Sequence, residues 1–323
     1  MLVGMSMSAA RSRKAASRSG RRGARAVGSA ARPPAPPQPY RWVLSSCGGG
    51  RPDRIGELPA APARVGDGSV GEGYLGALTD CTAKVLARAG GADLCFVGRS
   101  LDGMYDLLSG ALEHADWHGR IDRLPLSCTH AAWSRAQVVR FREHLASVGL
   151  SPYALARRKR PVALVDVVAS GSTFTVVHER LRDWIEECRE PWPVIRRTLR
   201  YVGVTSRGKP SPHHRRWHQD LEWVGTLPAG HVVNVSLDRF VWSELADHEP
   251  KLTSWFPTWR WLEAEELPGV VRHRGVAPAL ARAEALVEAG RGREVRDRLV
   301  RLMARDPGFA DREVRALAGA LRR

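Results

Sequence analysis

The stretch Pro161-Val162-Ala163-Leu164-Val165-Asp166-Val167-Val168-Ala169-Ser170-Gly171-Ser172-Thr173-Phe174 decides the fold that this chain is expected to adopt. Its first half contains an unbroken apolar run at 162–165, which is typical of a strand buried on both faces of a parallel sheet, and the run ends in an acid, Asp166. Its second half is a turn of small and hydroxyl-bearing residues. After that turn, Val177, Leu181 and Trp184 recur at helical spacing. The stretch therefore predicts a strand, a tight loop and a helix in succession.

The same alternation of short apolar runs and helical patterns recurs on both sides of this stretch. Besides the run at 162–165, strands are predicted at 93–97, 124–127, 199–204 and 231–236. Parallel strands need crossover connections, and helices of ten or more residues can supply them. The alternation therefore predicts an α/β protein, with a mostly parallel sheet flanked by helices on both faces.

The net charge of +16 is unevenly distributed along the chain. Ten of the 50 basic residues lie in residues 1–52 without a single Asp or Glu, which leaves 40 basic residues against 34 acidic ones in the remainder. Residues 1–40 are also poor in large apolar side chains, so they are predicted to form a disordered basic tail. The balanced remainder disfavours nucleic acid as a partner of the folded part. A tail that itself binds nucleic acid is the alternative, and its affinity would depend steeply on salt.

The compartment is predicted from what the chain lacks and from its cysteines. No run approaches the roughly 20 apolar residues that a membrane helix requires, so no membrane partner is expected. Five cysteines are scattered without a CxxC pair, which fits reduced thiols. The sequence therefore predicts a soluble, cytoplasmic protein.

The turn after the strand at 162–165 is the best candidate for a ligand site. In parallel α/β sheets, ligands bind at the carboxyl ends of the strands, where helix N-termini attract phosphate. Gly171 lets the backbone close on an anion, while Ser170, Ser172 and Thr173 offer hydroxyl donors. These residues together predict a site for a monophosphate.

This stretch resembles the signature of the type I phosphoribosyltransferases, in which an apolar strand ends in acids and is followed by a Thr-Gly-x-Thr-like turn. The resemblance implies that Asp166 contacts the ribose hydroxyls of phosphoribosyl pyrophosphate and is the catalytic residue. It also implies that Ala169, Ser170, Gly171, Ser172 and Thr173 wrap the 5-phosphate. Val167 departs from the pattern, because the family usually has a second acid there. Ala169 departs too, since purine-salvage members often carry Asp at that position, and this disfavours a hypoxanthine–guanine type of activity.

An earlier loop resembles the pyrophosphate-binding loop of the same family. Gly98 permits close approach, Arg99 offers a forked donor, and Ser100 precedes the start of a helix. The family also has a mobile loop that closes over pyrophosphate, which would correspond to residues 127–160. Within that loop, Arg158 and Lys159 are candidate pyrophosphate contacts, although a solvated basic loop before a buried strand is the favoured alternative.

The resemblance implies displacement at the anomeric carbon of ribose, with pyrophosphate leaving and Mg²⁺ neutralising its charge. Such a reaction depends on positioning and on stabilising the leaving group, so it needs no nucleophilic side chain. The acceptor is an unidentified small molecule. A non-catalytic protein that binds phosphoribosyl pyrophosphate for regulation or interaction is the alternative, because a fold does not fix a function.

The chain is expected to divide into the tail at 1–40, a phosphoribosyltransferase-like domain at 41–270 and a small helical appendage at 271–323. Within the domain, the Trp-rich segment 205–270 would form a hood over the acceptor. Four of its tryptophans, Trp242, Trp255, Trp259 and Trp261, could stack nucleobases, but core packing is the commoner role.

A metal site in the hood is a weaker candidate. Four potential ligands lie close together in the sequence, at His213, His214, His218 and Asp220. They lack an HExxH pattern and a cysteine partner, so ligation is disfavoured. A loop that faces the substrate above the sheet is favoured instead, with Arg215, Arg216 and Trp217 contacting an acceptor or a phosphate.

Overall fold

The computed structural model describes residues 43–44, 52–53, 70–126, 133–208, 216–251 and 276–323. The predicted tail at 1–40 lies outside them. In chain order, the strands are β1 (Val43–Leu44), β2 (Pro52–Asp53), β3 (Asp93–Val97), β4 (Ile121–Leu124), β5 (Val162–Val167), β6 (Leu199–Ser206) and β7 (Val232–Leu237). The first two form a small antiparallel pair, and the other five form one sheet in which every pairing is parallel.

Helices connect and flank the strands of the large sheet. They are α1 (Glu72–Arg88), α2 (Asp102–Ala111), α3 (Arg135–Ser147), α4 (Pro152–Ala156), α5 (Ser172–Glu187), α6 (Trp192–Ile195), α7 (Arg239–Ser243), α8 (Val276–Arg291), α9 (Arg293–Met303) and α10 (Arg312–Leu321). Helix α3 begins directly after Ser134, which forms a capping box with Gln137. The capping box satisfies two backbone N–H groups at the helix start. In the described ranges, no helix is both long and apolar enough to cross a membrane.

The strand order in the sheet is β4-β3-β5-β6-β7. The chain therefore leaves β3 toward one edge, to form β4, and then returns to place β5 on the other side of β3. This reversal is a topological switch point, and ligands of open α/β sheets bind in the crevice at the carboxyl ends of the strands beside it. The two loops singled out in the sequence follow β3 and β5. The predicted α/β class, with a parallel sheet, is confirmed.

Two hydrophobic cores lie on the two faces of this sheet. Side chains alternate between the faces along each strand. Leu94 and Phe96 of β3 join α1 and α2 in one core, whereas Cys95 and Val97 join α3 and α5 in the other. Burial on both faces explains the unbroken apolar runs at 94–97 of β3 and 162–165 of β5. The expected helices on both faces are confirmed.

The C-terminal helices are not a separate appendage, which corrects the sequence-based expectation. Leu299, Met303 and Leu317 belong to the same core as α1 and α2. Helix α8 also crosses α2 closely, because a Cβ added to Gly290 would lie 2.1 Å from the carbonyl oxygen of Leu107. A composition of Ala, Leu, Arg and Glu predicts amphipathic helices but not the surface against which they pack.

Strand β4 begins three residues earlier than predicted. It runs from Ile121 to Leu124 instead of over 124–127, and residue 127 lies outside the described ranges. Ile121 and Leu124 are buried, whereas Asp122 is exposed and Arg123 is half-buried. The strand lies at the edge of the sheet, so its mixed polarity hid it from a search for continuous apolar runs.

Candidate functional site

The candidate site is built from two loops at the switch point. The β3 loop comprises residues 98–101, and the β5 loop comprises residues 168–171 together with the first turn of α5. The loops meet at Asp166, because its Oδ1 lies 3.9 Å from the position that a Cβ on Gly98 would occupy. The structure therefore brings together the predicted phosphate and pyrophosphate loops, which are about 70 residues apart in the sequence.

The β5 loop ends at a helix N-terminus that has no side-chain cap. Gly171 is in the left-handed conformation, with φ of +83°, and α5 begins at the next residue. The first backbone N–H of the helix with an acceptor is that of Thr175, which donates to the carbonyl of Gly171 at 3.0 Å. Among the described residues, the N–H groups of Ser172, Thr173 and Phe174 have no acceptor. Such a helix start attracts anions through its free N–H groups and its dipole.

The side chains of the β5 loop leave this helix start accessible. Ala169, Ser170 and Ser172 are exposed, and Thr173 is half-buried. In the part of the chain that the structure describes, the three hydroxyls have no hydrogen-bond partner. A phosphate at the helix start would therefore meet donors that are not engaged elsewhere.

Asp166 is the buried acid of the site. It is 7% exposed, and its Oδ1 accepts a hydrogen bond of 2.7 Å from the backbone N–H of Val167. Burial raises the pKa of the Asp166 carboxyl well above its usual range, and the hydrogen bond offsets this only in part. The neighbouring Val167 packs against the core on the α1 side. The position where the family usually has a second acid is thus filled by a side chain that contributes to the core.

The β3 loop turns its carbonyl groups into the protein. Three different donors satisfy them: the N–H of Asp102 binds the Arg99 carbonyl at 3.2 Å, the ammonium of Lys251 binds that of Ser100 at 2.9 Å, and the N–H of Tyr105 binds that of Leu101 at 3.0 Å. Within the described ranges, the N–H groups of Ser100 and Leu101 have no acceptor. Successive backbone N–H groups of this kind form a concavity that binds anions.

Two further features fit the β3 loop to an anion. Gly98 has φ of +73°, which favours glycine, and its N–H donates to the carbonyl of Leu124 at 2.9 Å. The half-buried Arg99 follows it. Burial lowers the pKa of the Arg99 guanidinium, and the charges of Asp102 and Asp247 oppose this effect. Because an arginine pKa starts so high, the group stays positively charged.

Arg158 and Lys159 do not reach the site, which corrects their predicted role as pyrophosphate contacts. Arg158 donates a 2.8 Å hydrogen bond to Asp93, the first residue of β3. Both basic residues directly precede β5, so they lie at the amino edge of the sheet. A strand of six residues separates this edge from the loops, a distance of about 20 Å.

Trp217 packs against the β5 loop. A Cβ on Gly171 would lie 2.4 Å from Cε3 of this indole, and a Cβ on Gly203 of β6 would lie 2.7 Å from its Nε1. The indole N–H donates to Oδ1 of Asn234 on β7. Two glycines and one hydrogen bond therefore fix the ring beside the predicted phosphate site. A glycine inside an apolar strand signals close approach by another group, so Gly203 is the feature that could have predicted this contact.

An aromatic cluster packs the segment that follows Trp217 against helix α5. The ring of His178 stacks on Trp223 with centroids 4.5 Å apart, and its Nδ1 lies 3.0 Å from the hydroxyl of Tyr201. Burial, helped by the charge of Arg182, lowers the pKa of His178 to about 4. The imidazole is therefore neutral at physiological pH and packs as part of the core.

The described residues contain no group of three or more His, Cys, Asp or Glu side chains that could hold a metal ion. Of the four candidate ligands in the hood, His213 and His214 lie outside the described residues, whereas His218 and Asp220 lie within them. Mg²⁺ usually keeps waters and binds through one or two carboxylates and the phosphates of the substrate.

Of the tryptophans considered as a stacking surface, Trp242 has a structural role. Its indole N–H donates to the carbonyl of Val204 at 3.0 Å, and its ring packs against the core on the α1 side. The remaining members of that group, Trp255, Trp259 and Trp261, lie outside the described ranges.

Neither protein-family models nor curated proteins nor solved structures give a match to this chain. The fold and the loops define it as a parallel α/β protein with a candidate anion-binding site at its switch point.

Proposed function

We propose that this protein binds phosphoribosyl pyrophosphate, with the 5-phosphate on the β5 loop and the diphosphate on the β3 loop. One observation carries the proposal: two adjacent loops at the switch point each present backbone N–H groups that have no acceptor among the described residues. Asp166 lies between the loops, where the ribose would connect the two phosphate groups. A sugar that carries a phosphate at one end and a diphosphate at the other matches this arrangement.

The proposed reaction transfers the phosphoribosyl group to an unidentified small-molecule acceptor. The bond between the anomeric carbon and the diphosphate breaks, a bond to the acceptor forms, and pyrophosphate leaves. The N–H groups of Ser100 and Leu101, with the charge of Arg99, would stabilise the negative charge that develops on the leaving group. Asp166 would orient the ribose through its hydroxyls. Mg²⁺ is expected to arrive on the diphosphate, because this ion usually keeps its waters and binds through substrate phosphates and one or two carboxylates.

A non-catalytic protein that binds the same ligand is the second candidate. Val167 favours it, since a side chain packed in the core replaces the acid that would hold the ribose in the family. Anion binding by the two loops does not depend on that acid, so binding without turnover is compatible with the same geometry.

The free thiols of Cys81, Cys95 and Cys188 support a reducing compartment, and we propose the cytoplasm. The first two are buried in the protein core.

Calorimetric titrations with ribose 5-phosphate, inorganic pyrophosphate and phosphoribosyl pyrophosphate, each with and without Mg²⁺, test the proposal. We expect the complete ligand to bind more tightly than either fragment, because it engages both loops at once. An assay of pyrophosphate release with a panel of bases then separates the enzyme from the binding protein. If all three ligands fail to bind, the proposed function is wrong.

A further inference from the structure

A buried ion pair lies directly beneath the β3 loop. Glu249 is 6% exposed and Lys251 is 9% exposed. The ammonium of Lys251 lies 2.5 Å from Oε2 of Glu249, and it also donates to the carbonyl of Ser100 at 2.9 Å. A charged network thus ends on the backbone of the predicted pyrophosphate loop.

Side chains from helices α1 and α8 complete this network. The hydroxyl of Tyr74 on α1 donates to Oε1 of Glu249 at 3.2 Å, and the guanidinium of Arg282 on α8 lies 3.3 Å from the same oxygen. Gly103 makes room for the carboxylate, since a Cβ there would lie 2.8 Å from Oε1. Burial and the nearby charge of Glu249 raise the pKa of Tyr74, so its hydroxyl remains a donor.

A buried ion pair of this kind is a poor source of stability. Removing two charges from water offsets most of their attraction, so apolar residues of similar size often serve as well. The network does, however, determine which way one peptide group faces. Because Lys251 holds the carbonyl of Ser100 inward, the N–H of Leu101, which belongs to the same trans peptide group, faces the other way and is left for an anion. A peptide that turned its carbonyl outward would repel a phosphate.

We propose that Glu249 and Lys251 are positioning residues that hold the β3 loop in the orientation that binds the diphosphate. This inference rests on the proposed function for the identity of the ligand, but not for the structural effect of the network. The two parts can therefore be tested separately.

The first test measures hydrogen exchange by mass spectrometry without any ligand. The double variant Glu249→Gln/Lys251→Met removes both charges of the buried pair, and Arg282 keeps the carboxylate of Glu244 as a partner at 3.3 Å. We expect exchange to accelerate by about tenfold in peptides that span residues 97–103, where Gly98 and Asp102 have protein acceptors. Peptides that span 168–176 should be unchanged. Equal exchange in wild type and variant over 97–103 would overturn the inference, whatever the ligand is.

The second test compares two titrations of the same folded double variant. We expect affinity for inorganic pyrophosphate to fall by about tenfold or more, since a misplaced backbone donor loses a charge-assisted hydrogen bond. Affinity for ribose 5-phosphate, which uses the β5 loop, should stay within about twofold. The matched control is Lys84→Met, which removes a lysine of α1 outside the network and should leave both affinities unchanged. Equal losses for both ligands would mean a general structural role and overturn the inference. Failure of wild-type protein to bind either ligand would instead refute the proposed function, and the exchange result would still stand.

Discussion

The indole ring of Trp217 occupies the space into which a side chain at Gly171 would project. A Cβ on Gly171 would lie 2.4 Å from Cε3 and 3.0 Å from Cζ3 of that ring, and the φ of Gly171 is +83°. The glycine at the end of the β5 loop is therefore required by the protein's own packing, independently of any ligand.

Substituting Gly171 should accordingly destabilise the fold. We expect Gly171→Ala to lower the free energy of unfolding by about 2–4 kcal/mol, because the left-handed backbone disfavours a Cβ and the indole must move. Urea denaturation measures this. Gly225→Ala is the control, since a Cβ at Gly225 meets nothing within 4 Å. Similar midpoints for the two variants would contradict the packing described for Trp217.

Two helical glycines near the C-terminus should respond to alanine with opposite signs. Gly290 lies at the crossing of α8 and α2, so Gly290→Ala should lower the free energy of unfolding by about 1–3 kcal/mol. Gly319 is exposed on α10 with nothing within 4 Å of an added Cβ. There, Gly319→Ala should raise the free energy of unfolding by about 0.5–1 kcal/mol, because alanine has a higher helix propensity than glycine. Thermal unfolding distinguishes the two, and a neutral Gly290→Ala would mean that α8 does not pack on α2 as described.

The buried imidazole of His178 should make stability depend on pH. Its pKa is about 4 in the folded protein, against about 6.5 in an unfolded chain. Between these values the unfolded chain binds a proton that the folded protein does not, so stability should fall as the pH decreases from about 6.5 to 4, by about 3 kcal/mol.

Other groups titrate in the same range, so the contribution of His178 is measured as a difference. His178→Phe keeps a ring against Trp223 and removes the titration. Denaturation at several pH values should show a flatter stability profile for His178→Phe between pH 4 and 6.5. Parallel profiles for the two proteins would contradict a buried, neutral His178.

Asp166 should give the opposite pH dependence. Burial raises the pKa of this carboxyl in the folded protein, so ionisation favours the unfolded chain and the stability contribution falls as the pH rises above about 4. We expect Asp166→Asn to be more stable than wild type at pH 8, with a difference that shrinks toward pH 4, and to bind phosphoribosyl pyrophosphate more weakly. Denaturation at the two pH values and calorimetry check this. A less stable Asp166→Asn at pH 8 would refute the cost assigned to the buried acid.

The sequence predicted the central strands and the loops that follow them because local signals encode both. The apolar run at 162–165 and the glycine at 171 are such signals, since buried strands and left-handed turns each restrict the residues that fit. The placement of both loops at the same edge of the sheet was also predictable, because the carboxyl ends of parallel strands lie at one edge. The adjacency of β3 and β5, and hence the contact of Gly98 with Asp166, followed from no local pattern.

The features that were missed depend on tertiary contacts. The amphipathic pattern of α8 to α10 does not say which surface it covers, so these helices were predicted to be an appendage. The position of Arg158 and Lys159, by contrast, needed no tertiary contact to predict, because residues directly before the strand predicted at 162–165 lie at the amino edge of the sheet. Glu249 and Lys251 resemble ordinary surface charges in the sequence, and only the fold shows that they are buried beneath Ser100.

The most direct test of the central claim, that the start of α5 binds a phosphate, is the affinity of Ser172→Asp for phosphoribosyl pyrophosphate. Ser172 is exposed and is the first residue of the helix, where a carboxylate stabilises the fold by about 0.3–1 kcal/mol. The same carboxylate would repel a phosphate at the free N–H groups. The control is Ser151→Asp, which adds an equal charge at the N-cap of α4 and retains a capping oxygen for Ala154. Calorimetry should show at least about tenfold weaker binding for Ser172→Asp, with unchanged folding and with wild-type affinity for Ser151→Asp. Wild-type affinity in a folded Ser172→Asp variant would contradict the account.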